Sequence, residues 1–531
     1  MSHSSFRAPS RRGRSAALTA LLLALAGAQA QTPEPAVARF DVLEYRIEGN
    51  SVLPAERVER AVYPFLGEQR TVSDVESARA ALETAYRDAG YGTVVVDTPE
   101  QKIVDGVVTL QVLQAPVARL RVVGARYYSQ GRILDKVPGL AEGQVPNFKA
   151  VSEQLAGVNR SADRRVTPLL RPGKAPGTTE VDLTVEDRLP LHGSVTVNNA
   201  YSANTTRSRL VASLRYDNLW QREHSLGLQA QVSPEDRSEV KVFSASYTVP
   251  VGTGLLVASA IRSNSNTVAG VGGVAVFGRG SIYGLRRILV LDGSETISRS
   301  LTLGVDYKDF DESVSVGPNQ SFDTPIRYLP FSARYATTLG DAQGAWQLGG
   351  GLRFAVRGLA SRDDEFADKG YRAQSNFAIL EFDVARTQSL PHGLQLFGKL
   401  DGQLSAQGLI SNEQFVAGGV DSVRGYLEAT AVGDKALHGS VELRTPNLLP
   451  ELWQTPTDLR LHAFVDAAGL WLNAPLPRQH ASAVLVGTGV GLRLQVRGAS
   501  SLALDLGWPL HDAGRIERGD LRLHASGTLE F

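Results

Sequence analysis

The chain has 531 residues, with 55 basic and 55 acidic side chains and a formal charge of zero. That length holds several domains or one large barrel with appendages, and no basic cluster recurs after the N-terminus to suggest nucleic acid. Cysteine is absent, which excludes disulfides, thiolate metal sites and cysteine nucleophiles. The 43% hydrophobic content suits a soluble protein and equally a membrane barrel, whose strands turn every second residue to a polar lumen.

Residues 1–30 read as a signal peptide. Arg7, Arg11, Arg12 and Arg14 precede an apolar run from Ala16 to Ala26, and Ala28-Gln29-Ala30 is a small-x-small cleavage site. The run is shorter than the roughly 20 apolar residues of a membrane helix, and no later run approaches that length. The expectation is an exported protein without a transmembrane helix. Residues 31–39 form a short N-terminal extension, in which Pro33 and Pro35 oppose helix formation.

Residues 40–115 predict a small α/β module. Val42 to Glu48 alternates as a strand and Gly49-Asn50 turns it. Pro54 opens a helix to about Phe65, at a position where its missing N–H costs nothing. Ser73 is the expected cap of a second helix, with Val75, Ala78, Ala81, Leu82 and Ala85 at helical spacing. Gly90-Tyr91-Gly92 ends it, and strands follow at Thr93 to Val96 and Gly106 to Leu113. Residues 116–188 repeat the scheme loosely, with helices near Gly131 to Val137 and Phe148 to Asn159 and strands near Leu120 to Val123, Arg165 to Leu170 and Glu180 to Val185.

From Leu191 the hydrophobic period becomes two. In the last segment Leu521, Leu523, Ala525, Gly527, Leu529 and Phe531 share one face, and Arg522, His524, Ser526, Thr528 and Glu530 the other. Such a run is the length of a tilted membrane strand. No amphipathic helix is expected after residue 190 to cover a soluble sheet, so the sheet closes on itself in lipid. Residues 190–531 therefore predict a 16-stranded antiparallel transmembrane β-barrel. Eleven strands precede a polar, Gly-rich loop, 407–435, and five follow it. Short turns near Pro250-Val251-Gly252, Leu291-Asp292-Gly293 and Arg497-Gly498 alternate with longer connections, as at Asn264 to Arg279, Asp311 to Thr324, Gly358 to Lys369 and Trp508 to Asp520. The long connection Pro446 to Thr457, on the side of the short turns, breaks this alternation.

The loop carries Val423-Arg424-Gly425-Tyr426, and Phe464-x-Asp466 follows two strands later. By strand parity Arg460, His462, Phe464 and Asp466 face the lumen if Leu459, Leu461 and Val465 face lipid. Asp466 then points where Arg424 can reach it. Removing one partner of such a pair costs roughly 3–5 kcal/mol in a dry site and about 1–2 kcal/mol in a wet lumen. Tyr426 adds a large surface to wedge against the wall.

These features resemble the transporters that join POTRA modules to a barrel. There a VRGY tetrad in the sixth surface loop folds back into the lumen and its arginine meets an acidic wall residue. The usual second motif is Phe-x-Asp-x-Gly; here Ala468 takes the glycine's place and Gly469 comes one residue later. The helix-end pattern Tyr86-x-x-x-Gly90-Tyr91 resembles a first POTRA module, and Leu155 to Pro172-Gly173 the second POTRA module of two-partner secretion. The chain is most similar to the hemolysin secretion/activation family (ShlB/FhaC/HecB type, TpsB).

The resemblance implies export of one large, β-rich, TpsA-like partner protein across the outer membrane of a Gram-negative bacterium. The POTRA modules, at 40–115 and 116–188, would lie in the periplasm and bind unfolded cargo. The site residues it implies are Val423, Arg424, Gly425, Tyr426, Phe464 and Asp466 as a lumen latch. Terminal Phe531 resembles the signal read by the outer-membrane assembly machinery. No cofactor, metal, nucleic acid or nucleotide is implied. Relatives often carry an N-terminal plug helix; Gln31 to Arg39 leaves none, which predicts a larger resting conductance. The rival readings are an outer-membrane assembly factor of the same superfamily and a porin-like channel. An enzyme is not expected: neither H-E-x-x-H nor G-x-S-x-G occurs, and Gly270-Val271-Gly272-Gly273 follows no βαβ unit.

Overall fold

A computed structural model describes residues 38–203, 205–271, 274–311, 313–315, 321–360, 362–452, 454–498 and 500–531. Residues 1–30, where a signal peptide is expected, residues 31–37 of the extension and Gly272-Gly273 lie outside the described residues. The chain falls into two compact units. The first runs to Arg121 and adds Val137–Gly157 and Pro168–Leu183; the second holds Val122–Lys136, Val158–Thr167 and Thr184–Phe531.

In the first unit, strand Glu44–Glu48 runs parallel to Val107–Leu113, which also pairs with Val95–Asp97. Two helices, Ala55–Val62 and Val72–Asp88, bury Val58, Val62, Leu82 and Tyr86 with Val42, Val108 and Leu110. The Tyr86 hydroxyl donates to Asn50 Oδ1 at 2.7 Å, and burial pushes its pKa up to about 12. The second helix starts two residues earlier than expected. Thr71, not Ser73, is its cap: Asp74 N–H donates to Thr71 Oγ1, and Asp74 Oδ2 accepts the Thr71 N–H at 2.8 Å. This reciprocal capping box satisfies two free donors where Ser73 would satisfy one. A further strand, Gly67–Thr71, pairs with Arg39–Val42. Farther along, Thr179–Asp187 is the middle strand of a three-stranded sheet, flanked by Val117–Val123 and Arg164–Pro172.

The second unit contains a closed antiparallel barrel of sixteen strands. They are β1 (Leu191–Asn198), β2 (Arg209–Leu219), β3 (His224–Val232), β4 (Lys241–Val251), β5 (Gly254–Val271), β6 (Val274–Ser294), β7 (Ile297–Phe310) and β8 (Pro330–Asp341). The second half comprises β9 (Gly344–Ala355), β10 (Ala378–Ser389), β11 (Gln395–Ser405), β12 (Lys435–Arg444), β13 (Thr455–Trp471), β14 (Ser482–Val496), β15 (Ser500–Pro509) and β16 (Arg522–Glu530). Eleven strands precede the 407–435 loop and five follow it. β1 closes on β16, where Thr528 faces Thr196. Every backbone group of such a cylinder finds a partner without water. Alternate residues turn outward as expected: Leu437, Val441, Leu461 and Val465 are exposed, whereas His438, His462, Phe464 and Asp466 are buried. No described helix is long and apolar enough to cross a membrane.

Two connections differ from the expectation, and the structure accounts for a third, the long Pro446 to Thr457. Asn264 to Arg279 is mostly ladder: β5 and β6 stay paired through Ala269–Val276 and Val271–Val274, where β-branched residues favour extended chain. Gly358 to Lys369 contains a helix, Asp363–Lys369, although none was expected beyond residue 190. Seven residues cannot cover a sheet, and the helix buries only Phe366, against Tyr328 and Phe377. Pro446 to Thr457 is long because it folds on itself. Glu451–Leu452 pairs with Thr455 and Pro456, and Asn447 bridges Thr457 and Leu459 through its amide.

Candidate functional site: a loop bound inside the barrel

The loop between β11 and β12 rises as a small hairpin, Phe415–Ala417 paired with Ala431–Gly433, and Val423 to Tyr426 lie at its tip. Arg424 is the centre. Its Nε donates to Asp466 Oδ2 at 2.7 Å and its Nη2 to Asp466 Oδ1 at 2.8 Å, a two-pronged pair. The Arg424 backbone N–H reaches the same carboxylate at 3.1 Å, and Ser440 Oγ donates to it at 2.7 Å. Nη1 donates to Glu442 Oε1 at 2.7 Å and lies 3.4 Å from Asp505 Oδ1. Arg444 pairs with Glu442, and Arg493 and His462 with Asp505. Three arginines thus face three carboxylates. The guanidinium carbon sits 3.5 Å from the centre of the Phe464 ring, a cation–π contact that explains the aromatic two residues before Asp466.

The pair is dry: the side chains of Arg424 and Asp466 are 4% and 0% exposed. The wet-lumen figure of 1–2 kcal/mol therefore does not apply, and losing one partner costs roughly 3–5 kcal/mol.

Tyr426 is more than a wedge. Its hydroxyl donates to the His511 carbonyl at 2.8 Å, with the Val486 carbonyl at 3.1 Å. Val423 packs with Tyr426, Ala468, Leu470 and Leu485. Gly425 has φ +96°, a left-handed conformation, and its N–H donates to His524 Nε2 at 3.1 Å. The wall is cut to match. A Cβ at Gly507 of β15 would come within 2.6 Å of the Gly425 nitrogen, and one at Gly487 of β14 would collide with the Arg424 carbonyl. Gly489 and Gly491, also inward on β14, clear the Phe464 and His462 rings. These glycines were missed. Their signal is a strand, Gly487-Thr488-Gly489-Val490-Gly491, with glycine at successive lumen positions.

A second contact was also missed. Glu413, at the foot of the hairpin, is buried against Lys308, Tyr328 and Arg353. Phe531 lies apart from all of this. Its backbone pairs with Gly193 across the β1–β16 seam, N to O at 3.0 and 2.8 Å, and its ring is exposed.

Geometry and topology together define the class: a closed β-barrel whose lumen is occupied by its own β11–β12 loop, preceded in the chain by α/β modules. The family model described as haemolysin secretion/activation protein ShlB/FhaC/HecB matches residues 177–494, and the ShlB-type POTRA domain matches residues 40–115. The chain belongs to this hemolysin secretion/activation family, the outer-membrane transporters of two-partner secretion. It is 24% identical to the outer membrane transporter CdiB of Dickeya dadantii, over 89% of this chain and 83% of that one. It is 20% identical to the heme/hemopexin transporter protein HuxB of Haemophilus influenzae, over 84% and 79% respectively. Among solved structures, CdiB from Escherichia coli superposes with a TM-score of 0.63 at 21% identity, covering 94% of this chain and 92% of that one. BamA from Haemophilus ducreyi lacking POTRA domains 1–3 shares the fold, with a TM-score of 0.56 at 16% identity and 93% and 100% coverage. The protein is a transporter and not an enzyme, and its barrel belongs in the outer membrane.

Proposed function

We propose that this barrel exports one large, β-rich partner protein from periplasm to cell surface, and that loop 407–435 gates the pore. The cargo arrives unfolded, and strand edges of the two N-terminal modules, 40–115 and 116–188, capture it by strand addition. Main-chain hydrogen bonds give such capture affinity without a fixed sequence. The latch consists of Val423, Arg424, Gly425 and Tyr426 on the loop with Phe464 and Asp466 on the wall. The observation that carries this reading is the sealed Arg424–Asp466 pair, which holds the loop tip inside the lumen. A pair so compensated is stable when shut and exposes no lone charge until cargo displaces it. Phe531, beside the seam, is the residue we assign to recognition by the assembly machinery.

The test is Arg424→Ala in the full chain. The barrel should still insert, keeping its heat-modifiable mobility on gels. Secretion of the partner should fall at least tenfold and the single-channel conductance should change. Wild-type secretion by that variant removes the latch from the mechanism.

A further inference from the structure

Arg424 is not the loop's only charged hold on the wall. Glu413 lies at the foot of the hairpin, eleven residues before it, and its side chain is fully buried. Oε1 accepts from Lys308 Nζ at 2.5 Å and from the Tyr328 hydroxyl at 2.6 Å. Oε2 accepts from Arg353 Nη1 at 2.7 Å. Arg353 also pairs with Glu381 of β10. Two cations thus meet two carboxylates. The Glu413 carbonyl accepts from Gln403 Nε2 at 3.0 Å, which ties the backbone down as well.

The two holds grip different parts of the barrel. Arg424 is bound by residues of β12, β13 and β15. Glu413 is bound by Lys308 of β7, Arg353 of β9 and Tyr328 of Ile326–Tyr328, the short strand paired with the end of β7. Beside Glu413 the wall is apolar: Phe310, Tyr328, Phe366, Phe377, Leu409 and Ile410 form one buried cluster. Two of these, Leu409 and Ile410, belong to the loop itself. Phe366 comes from the helix in the β9–β10 connection. Water is therefore kept from the Glu413 carboxylate by side chains of two surface connections and the wall, while Arg353 and Glu381 on its far side are partly exposed.

We infer that Glu413 is a second positioning residue of the gate, acting through Lys308 and Arg353 to hold the loop's foot while Arg424 holds its tip. Release of the tip alone leaves the hairpin tethered in the pore, and full opening requires both holds to let go. This inference rests on the proposed gating role of the loop.

The experiment is planar-bilayer recording of the full chain, purified as wild type, Arg424→Ala, Glu413→Gln, and the two combined. A fourth variant, Glu413→Gln with Lys308→Gln, removes one anion and one cation together and so keeps the buried charge balanced. Heat-modifiable mobility verifies folding in each. Glu413→Gln should raise open probability about tenfold or more, the scale expected when a buried charge loses its partner. The balanced pair should raise it too, because the tether is cut although neutrality is kept. The combined Arg424→Ala, Glu413→Gln variant should exceed both single variants. If Glu413→Gln leaves the open probability of wild type and of Arg424→Ala unchanged, and the balanced pair matches wild type, the second hold is refuted while the gating role stands. If Arg424→Ala also leaves it unchanged, the gating role itself fails. If Glu413→Gln alone does not fold but the balanced pair folds and stays shut, Glu413 serves neutrality only and the inference is overturned.

Discussion

In the N-terminal module, Leu82, Tyr86 and Leu110 are sealed inside while Arg79 pairs with Glu76 and Glu83 near the surface. In the barrel, Val441, Leu461 and Val465 turn outward, and Arg424 and Asp466 are sealed inside. The same chemistry is thus used in opposite senses by one chain. Water surrounds the module, so apolar burial stabilises it. Lipid surrounds the barrel, so its outer face gains nothing from a protein partner, and its interior is free to hold charge. Charge buried there must be matched residue by residue, and this makes the lumen suited to a latch.

Leu82→Ala tests the module's side of this contrast. It should cost roughly 2–5 kcal/mol, read as faster amide exchange across the module, with the barrel's heat-modifiable mobility unchanged. A barrel that loosens with it breaks the contrast. Val465→Arg tests the barrel's side. An arginine on the lipid face should cost about 2–4 kcal/mol at mid-membrane, read as a lowered urea midpoint of the folded barrel in lipid, and less nearer the rim. Tyr426→Phe should weaken tip seating by about 1 kcal/mol through the lost hydroxyl contact with His511, read as a modest rise in open probability.

The smallest effect is a pH dependence confined to the module. Hydrogen bonds from Thr71 hold the Asp74 carboxyl below the usual carboxylate range. Its folded pKa is depressed, so its stabilisation is present above the unfolded value of about 3.9 and is lost as pH falls through the folded value. Exchange of the 72–88 helix should quicken on acidification below about pH 4, and Thr71→Ala, which removes the hydroxyl but keeps the backbone donor, should weaken that dependence. An unchanged profile in Thr71→Ala means that the capping box does not set it.

The sequence was most legible where one face meets a uniform medium. Every strand of the barrel is readable because lipid demands an apolar residue at alternate positions, and the parity of Leu461 and Val465 alone puts Asp466 in the lumen. Arg424 was legible through the resemblance of its tetrad, and of Phe464-x-Asp466 after it, to the motifs of a known family. What could not be read depends on a neighbour distant in sequence. Glu413 matters because it meets Lys308 and Arg353, more than fifty residues away, and no periodicity marks it. The glycines at 487 and 507 are required by a loop tip that approaches the wall more closely than strand pattern can indicate. Pro446 to Thr457 looked like an exception because Asn447 and the Glu451–Leu452 hairpin act through contacts that hydropathy does not record.

The central claim is that the loop tip is sealed within the lumen by Arg424. The natural absence of cysteine offers a direct measurement: the reaction of Val423→Cys with a membrane-impermeant maleimide on intact cells, beside exposed Leu476→Cys as reference. Val423→Cys should label far more slowly than the reference, and adding Arg424→Ala should bring it close to the reference rate. Equal labelling at both positions with Arg424 intact would contradict the account.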